Sequence, residues 1–259
     1  MRLPGLLGAL AVAAAAGPAL ADEVEWRVPF ITTPGEVVER MLELAGTGSG
    51  DLVVDLGSGD GRIVIIAAQK FGARGLGIEL DQRLVEKSRA NARAANVADR
   101  VSFVQGDVLA AEISQASVVT VYLLPSLIGQ LQPRFIGELK PGTRIVSHAF
   151  SMTGWKPDRM QTVRLAKPHP GQGDESTLYL WVVPADVRGV WRGGEWQLRI
   201  EQNYQQIEIE GAAEARLSGR DITWEARGMR FHGRVDGERM AGEVSAAGGT
   251  RPLVLTRSR

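Results

Sequence analysis

Cysteine is absent from this chain of 259 residues, and histidine occurs at three positions, His148, His169 and His232. The absence of cysteine excludes disulfides, thiolate metal sites and a cysteine nucleophile. The three histidines are single and lack the spacing of a metal-ligand set, so we expect no resident metal.

An excess of charge of either sign is also absent, because 30 basic and 30 acidic side chains cancel. Without a positive field, steering toward nucleic acid or an anionic membrane is not indicated, and we expect no nucleic-acid partner. The chain is 44% hydrophobic, which is enough for a real core. Its length allows one large domain or two smaller ones.

Residues 1–21, MRLPGLLGALAVAAAAGPALA, have one arginine, then an apolar stretch, then Ala19-Leu20-Ala21 before Asp22. This order is typical of a secretory signal peptide, and we expect cleavage after Ala21. Prolines and glycines interrupt the stretch, so we expect no transmembrane span in the mature chain. The prediction is a periplasmic or secreted protein, with a cytoplasmic or membrane-anchored one as the alternative.

Residues 22–184 alternate short β runs with helical segments, which predicts a Rossmann-like α/β domain with a mostly parallel sheet. The predicted strands are Leu52–Leu56, Gly75–Leu80, Val101–Gln105, Val118–Leu123 and Thr143–Ala149, and the predicted helices are Arg62–Phe71, Gln82–Ala95 and Leu127–Leu139. An earlier helix should begin at Thr33-Pro34-Gly35-Glu36 with a capping box, Thr33 as the cap and Glu36 as its partner. Gly46 should end that helix.

The pattern changes after Phe150, where the segment SMTGWKPD is too short for a crossover helix. We therefore expect Met160–Leu165 and Thr177–Val183 to form an antiparallel hairpin that ends the sheet. Residues 185–259 then alternate apolar and polar positions between glycine-rich turns, which predicts an all-β meander or small barrel of about six strands.

The stretch DLGSGDGR, residues 55–62, places a glycine-rich turn between a strand and a helix. It lacks the Lys-Ser/Thr pair of a phosphate-binding P-loop and the third-glycine spacing of a dinucleotide fingerprint. Asp55 and Asp60 would also repel a pyrophosphate, so a ligand that carries positive charge fits better.

This turn resembles the first motif of class I S-adenosylmethionine-dependent methyltransferases, an acidic residue followed by G-x-G-x-G. The resemblance spans residues 28–183 and implies that S-adenosyl-L-methionine is the cofactor. By that resemblance Glu79 would bind the ribose hydroxyls and Asp107 the adenine amino group. The implied cofactor-binding residues are Asp55, Gly57, Ser58, Gly59, Gly61, Glu79 and Asp107.

The fourth predicted strand ends in VTVYLLPSL and lacks the Asn/Asp-Pro-Pro motif of many amino-methylating enzymes. Together with VPFITTP, it makes the chain similar to a small group of protein-lysine methyltransferases. That similarity implies a lid of Pro29, Phe30 and Thr33, and a catalytic Tyr122 lining a lysine channel.

The predicted function is methyl transfer from S-adenosylmethionine to a nitrogen such as a protein lysine. His148, after the fifth strand, is a candidate base or polar wall of the same site. Two alternatives stay open from the sequence: a methyltransferase acting on small molecules, and an exported binding module that retains the fold without turnover.

Overall fold

The computed structural model describes residues 31–169 and 173–258. Within these residues, the part up to Val182 forms four helices and seven strands, and the strands make one sheet. The helices are α1 (Gly35–Leu44), α2 (Arg62–Phe71), α3 (Gln82–Ala94) and α4 (Pro125–Glu138). The strands are β1 (Leu52–Leu56), β2 (Arg74–Glu79), β3 (Val101–Gln105), β4 (Val118–Val121), β5 (Arg144–His148), β6 (Arg159–His169) and β7 (Gly173–Val182).

The strand order in this sheet is β3-β2-β1-β4-β5-β7-β6, with β1 to β5 parallel and β7 antiparallel to both of its neighbours. The predicted Rossmann-like sheet with a terminal antiparallel hairpin is therefore confirmed. Because β1 lies between β2 and β4, the strand order reverses at β1. The carboxyl ends of the strands beside such a reversal form a crevice in which open α/β sheets bind ligands.

Helix α1 begins as predicted near Pro34, but the capping box is wrong. Pro34 is the cap residue and no side chain caps the helix. The Thr33 hydroxyl instead lies 3.1 Å from His148 Nδ1, and the Glu36 carboxylate accepts a hydrogen bond from the backbone of Ala166. Both side chains form tertiary contacts that a local sequence pattern does not report. Gly46 follows the helix with φ of +61°, which suits a glycine at a helix end.

The β6–β7 hairpin is present and longer than predicted, since β6 spans Arg159–His169 and β7 spans Gly173–Val182. Its register is continuous from Arg159 opposite Leu180 to Arg164 opposite Glu175. Strand β6 is the edge of the sheet, and Met160 on it is 61% exposed. Apolar periodicity is weak at such an edge, which explains why the sequence pattern marked a shorter strand.

The second sheet has eight antiparallel strands, two more than the sequence pattern indicated. They are β8 (Gly189–Gly193), β9 (Trp196–Asn203), β10 (Gln206–Ile209), β11 (Ala212–Ser218), β12 (Asp221–Ala226), β13 (Met229–Asp236), β14 (Arg239–Ala246) and β15 (Gly249–Ser258). Strand β8 pairs with both β9 and β15, and the edge strands β10 and β11 are joined at Gly211. The meander therefore curls into a nearly closed barrel, filled by buried side chains that include Trp191, Trp224 and Phe231.

The barrel is joined to the first sheet at the amino ends of the parallel strands, opposite the crevice. Strand β7 runs antiparallel to β5, with Val182 beside Arg144, so the chain leaves the sheet where β5 begins. There the backbone of Gly219 in the barrel accepts a hydrogen bond from Ala185. Gly219 also lies so close to Gly142 that a Cβ on it would be 3.0 Å from the Gly142 backbone.

A turn of the barrel also packs against the side of the first sheet. Tyr204, between β9 and β10, has φ of +54° and stacks on Trp155 with ring centroids 4.9 Å apart. Its hydroxyl accepts a hydrogen bond from Gln132 on α4, and Gln205 accepts one from the Trp155 indole. These contacts hold a bulky residue in a left-handed conformation that would be costly in isolation.

The helices of the described residues are 10 to 14 residues long. None of them, within those residues, is long and apolar enough to cross a bilayer.

Candidate functional site

A cavity of about 750 Å³ opens at the carboxyl ends of β1, β2, β3 and β4. Its wall includes the segment before α1, the glycine-rich turn after β1 and the first residues after β2, β3 and β4. Seven of the eight residues predicted for the site line it: Asp55, Gly57, Ser58, Gly59, Glu79, Asp107 and Tyr122. The structure therefore brings into one crevice residues that are far apart in the sequence.

Gly57 lies where the chain turns out of β1, and its backbone has φ of +80°. A Cβ on Gly57 would lie 2.7 Å from Leu123 Cδ2, a distance that side-chain carbons do not tolerate. The backbone amides of Gly57 and Ser58 both donate to the carbonyl of Ile78 at the end of β2. A bare turn at this point thus keeps the cavity open between β1 and β4.

Gly61, the eighth predicted residue, lies behind the turn and outside the cavity wall. It has φ of +80° and serves as the cap residue of α2. A Cβ on it would meet Phe103 Cε1 at 2.6 Å and Ser88 Cβ at 2.9 Å. Packing against β3 and α3 accounts for this glycine without any ligand contact.

The Glu79 carboxylate joins the glycine-rich turn to the end of β2. One oxygen accepts a hydrogen bond from the Gly59 amide at 2.8 Å, and the other accepts one from the Asp81 amide at 3.0 Å. Each carboxylate oxygen accepts more than one hydrogen bond, so Glu79 retains acceptor capacity toward the cavity. Such a carboxylate can hold a pair of vicinal hydroxyls while it fixes the turn.

Asp55, the residue before the end of β1, carries a buried carboxyl, 2% exposed, which accepts a hydrogen bond from the Thr120 hydroxyl at 2.7 Å. Burial raises the pKa of Asp55 to about 7; the bond from Thr120 opposes that rise, and the negative charges of Glu79 and Asp60 reinforce it. A cationic ligand group in the cavity would favour the ionised carboxylate.

Arg62 also lines the cavity, although the sequence pattern did not mark it as a site residue. Its guanidinium forms two hydrogen bonds to the Asp60 carboxylate, at 2.8 and 2.7 Å, and a third to the backbone carbonyl of Thr33 at 3.0 Å. Although burial alone would raise the pKa of Asp60, Arg62 holds it below its usual value. A sequence signal existed, because an arginine at the positive end of a helix dipole calls for an anionic partner.

Asp107 and Leu80 form the outer part of the cavity beyond β3 and β2. Asp107 is exposed, and its Oδ1 accepts a hydrogen bond from the Leu109 amide at 2.8 Å. Leu80 is 66% exposed, an unusual state for a large apolar side chain in a concave site. An acceptor beside an exposed apolar surface suits a flat heterocycle with an amino group.

Tyr122 follows β4 on the other side of the turn and is half-buried. Its ring lies 4.2 Å from the His148 ring and 6.3 Å from the Phe150 ring, measured between centroids. His148 is fully buried behind Tyr122 and does not line the cavity. The geometry therefore gives His148 no access to an acceptor. Of the predicted lid, Thr33 lines the cavity, whereas Pro29 and Phe30 lie outside the described residues.

The sequence-family model of the ANTKMT methyltransferase domain matches residues 55–159 of this chain. A protein-lysine N-methyltransferase of Saccharolobus islandicus is 41% identical over 157 residues, which cover 60% of this chain and 94% of that relative. The adenine nucleotide translocase lysine N-methyltransferase of Mus musculus is 36% identical over 132 residues, which cover 51% of this chain and 57% of that relative.

Among solved structures, the chain is similar to one from Salinibacter ruber described as an RNA methyltransferase in complex with S-adenosyl-L-homocysteine. The identity is 52% and the TM-score is 0.55, with 61% of this chain and 96% of that chain covered.

The raised pKa of Asp55 gives a prediction for stability. Its folded-state pKa of about 7 exceeds the ordinary value of 3.8, so its contribution to stability is complete below pH 4 and is lost as the pH rises through 7. Asp55→Asn removes this titration. We expect its free energy of unfolding, relative to wild type and without cofactor, to increase between about pH 4 and pH 8. Urea denaturation at several pH values measures this difference, and a difference independent of pH would contradict the assignment.

Proposed function

Because the chain belongs to the same family as the protein-lysine N-methyltransferase of Saccharolobus islandicus, and is thus a methyltransferase that uses S-adenosyl-L-methionine, we propose that it methylates lysine side chains of a protein. The observation that carries the proposal is the cavity wall beside Tyr122. It is apolar, as the aliphatic stem of a lysine requires, and it lies beside the turn that binds the cofactor. The relatives named above as lysine methyltransferases support the same acceptor.

The residues of the crevice fit the cofactor on grounds of their own chemistry. Ser58 lines the cavity, and its Oγ is buried against Gly77, where the described residues give it no hydrogen-bond partner. Gly57 lies too close to Leu123 for any side chain, so the bare backbone of the turn lines the cavity, and the start of α2 favours a carboxylate. Asp55 would balance an ammonium, Glu79 would accept from the ribose, and Asp107 would accept from the adenine amino group. When bound, the cofactor supplies a methyl group activated on a sulfonium.

On the acceptor side the wall consists of Ile31, Leu123 and Leu127 with the ring of Tyr122. Apolar side chains around an incoming amine disfavour its charged form, and only the neutral amine has the lone pair needed for attack. Tyr122 can orient that nitrogen through its hydroxyl. The chain thereby aligns the acceptor and excludes water, which is the main contribution a protein makes to such a transfer.

A nucleic-acid acceptor is the competing possibility, because the Salinibacter ruber structure is described as that of an RNA methyltransferase. Equal numbers of basic and acidic side chains give this chain no overall attraction for a polyanion. We therefore favour a protein as the methyl acceptor. A methylated RNA or small molecule would overturn the proposal.

The acceptor class can be tested by labelling a cell lysate with the purified chain and methyl-tritiated S-adenosylmethionine. Protein, RNA and metabolites are then separated, and the protein fraction is hydrolysed to amino acids. We expect the label in methylated lysine, in a band that disappears without the enzyme. Label in nucleosides or in small molecules would contradict the lysine proposal.

Variants of Tyr122 serve as the matched comparison in the same assay. Tyr122→Phe keeps the ring and removes the hydroxyl, so we expect unchanged cofactor binding and a labelling rate lower by about tenfold, the value of one hydrogen bond of about 1.4 kcal/mol. Tyr122→Ala also removes the aromatic ring from the cavity wall, so its labelling rate should be lower still. Equal rates for Tyr122→Phe and wild type would show that the hydroxyl does not orient the acceptor.

We also propose that the protein is exported, on the basis of the order of residues 1–21 alone. The expected mature protein begins at Asp22 and is found in the periplasmic or secreted fraction of its own cells. N-terminal sequencing of the protein from each fraction tests this. A cytoplasmic or membrane-anchored protein that retains residues 1–21 would refute export and leave the methyltransferase assignment intact.

A further inference from the structure

Thr33 holds the segment before α1 against the cofactor cavity through two separate contacts. Ile31, Thr32 and Thr33 all line the cavity. The Thr33 carbonyl accepts the hydrogen bond from Arg62 at 3.0 Å, which joins the segment to the start of α2. The Thr33 side chain is 3% exposed and points inward, where its hydroxyl lies 3.1 Å from His148 Nδ1.

His148 lies between two hydroxyl groups that come from different parts of the chain. Nδ1 faces Thr33 and Nε2 lies 3.1 Å from the hydroxyl of Ser176 on β7. All three side chains are buried, with Ser176 1% exposed and His148 fully buried. A neutral imidazole has one donor and one acceptor nitrogen, so in either tautomer it bonds both hydroxyls in a consistent direction. The arrangement is a continuous chain from the last hairpin of the sheet to the cavity wall.

The ring of His148 also supports the acceptor side of the cavity. Tyr122 packs on it with a centroid separation of 4.2 Å and an interplanar angle of 37°. One buried ring thus contacts both the segment that covers the cofactor and the side chain that faces the acceptor. Its own nitrogen atoms do not reach the cavity, which excludes direct proton transfer to or from a substrate.

We propose that His148 is a positioning residue: held by Ser176 and bonded to Thr33, it fixes the Ile31–Thr33 segment over the bound cofactor and thereby sets how fast the cofactor leaves. The chain Ser176–His148–Thr33 holds the segment from inside, and Arg62 holds it from the turn. Loss of either contact frees one side of the segment. The proposal goes beyond the acceptor assignment, because cofactor retention can be measured with no acceptor present.

The test measures dissociation of S-adenosylhomocysteine from immobilised full-length chain by surface plasmon resonance. Thr33→Val and His148→Gln should each raise the dissociation rate about fivefold, the effect of one lost neutral hydrogen bond. Thr33→Ser retains the hydroxyl and should stay close to wild type. Amide hydrogen exchange should be faster at the start of α1 in Thr33→Val and unchanged in Thr33→Ser.

Matched controls separate this effect from general loss of stability. His232→Gln and Thr250→Val replace an exposed histidine and an exposed threonine of the barrel, outside the cavity lining, and both should bind as wild type. The double variant Thr33→Val/His148→Gln should raise the dissociation rate no more than either single change does, because both changes remove the same contact. If His148→Gln does not fold, the Thr33→Val and Thr33→Ser pair decides the matter. Wild-type dissociation from folded Thr33→Val would overturn the proposal.

Discussion

The hydrogen bond from the Gly59 amide to the Glu79 carboxylate is the contact on which the site depends. It joins the turn after β1 to the end of β2, two places that the sheet brings side by side. In the proposed cofactor site the same carboxylate accepts the ribose hydroxyls, which would link the shape of the turn to recognition of the nucleoside. A ligand that binds Glu79 therefore meets a turn already in place, which reduces the entropy lost on binding.

The two ends of the first sheet have different roles. The crevice lies at the carboxyl ends of β1 to β4, whereas the barrel is attached where β5 begins and along α4. The barrel is therefore placed away from the cavity mouth, and its turn at Tyr204 anchors it to Trp155. Between these regions, the residues after β5 pass from Phe150 beside Tyr122 to Trp155 beside the barrel.

The sequence predicted the sheet and its crevice well because both follow from local patterns. Apolar runs marked the strands, and glycines and acids at the strand ends marked most of the predicted residues that line the crevice. It failed where a side chain acts at a distance: Thr33 was expected to cap α1 and instead contacts His148 on β5. Arg62 is the last residue of the stretch DLGSGDGR, but its hydrogen bond to the Thr33 carbonyl depends on where residues far away in the sequence lie. Strand β11 of the barrel is largely exposed, so its sequence lacks the apolar–polar alternation by which the other strands were predicted.

Calorimetric titration with S-adenosylmethionine tests the central claim most directly. We expect wild type and the remote control Glu243→Gln to bind with equal affinity, and Glu79→Gln to bind at least about tenfold more weakly, because a hydrogen bond to a charged group contributes about 1.5–3 kcal/mol. Wild-type affinity in folded Glu79→Gln would contradict the account, since neither the turn nor the ribose would then depend on that carboxylate.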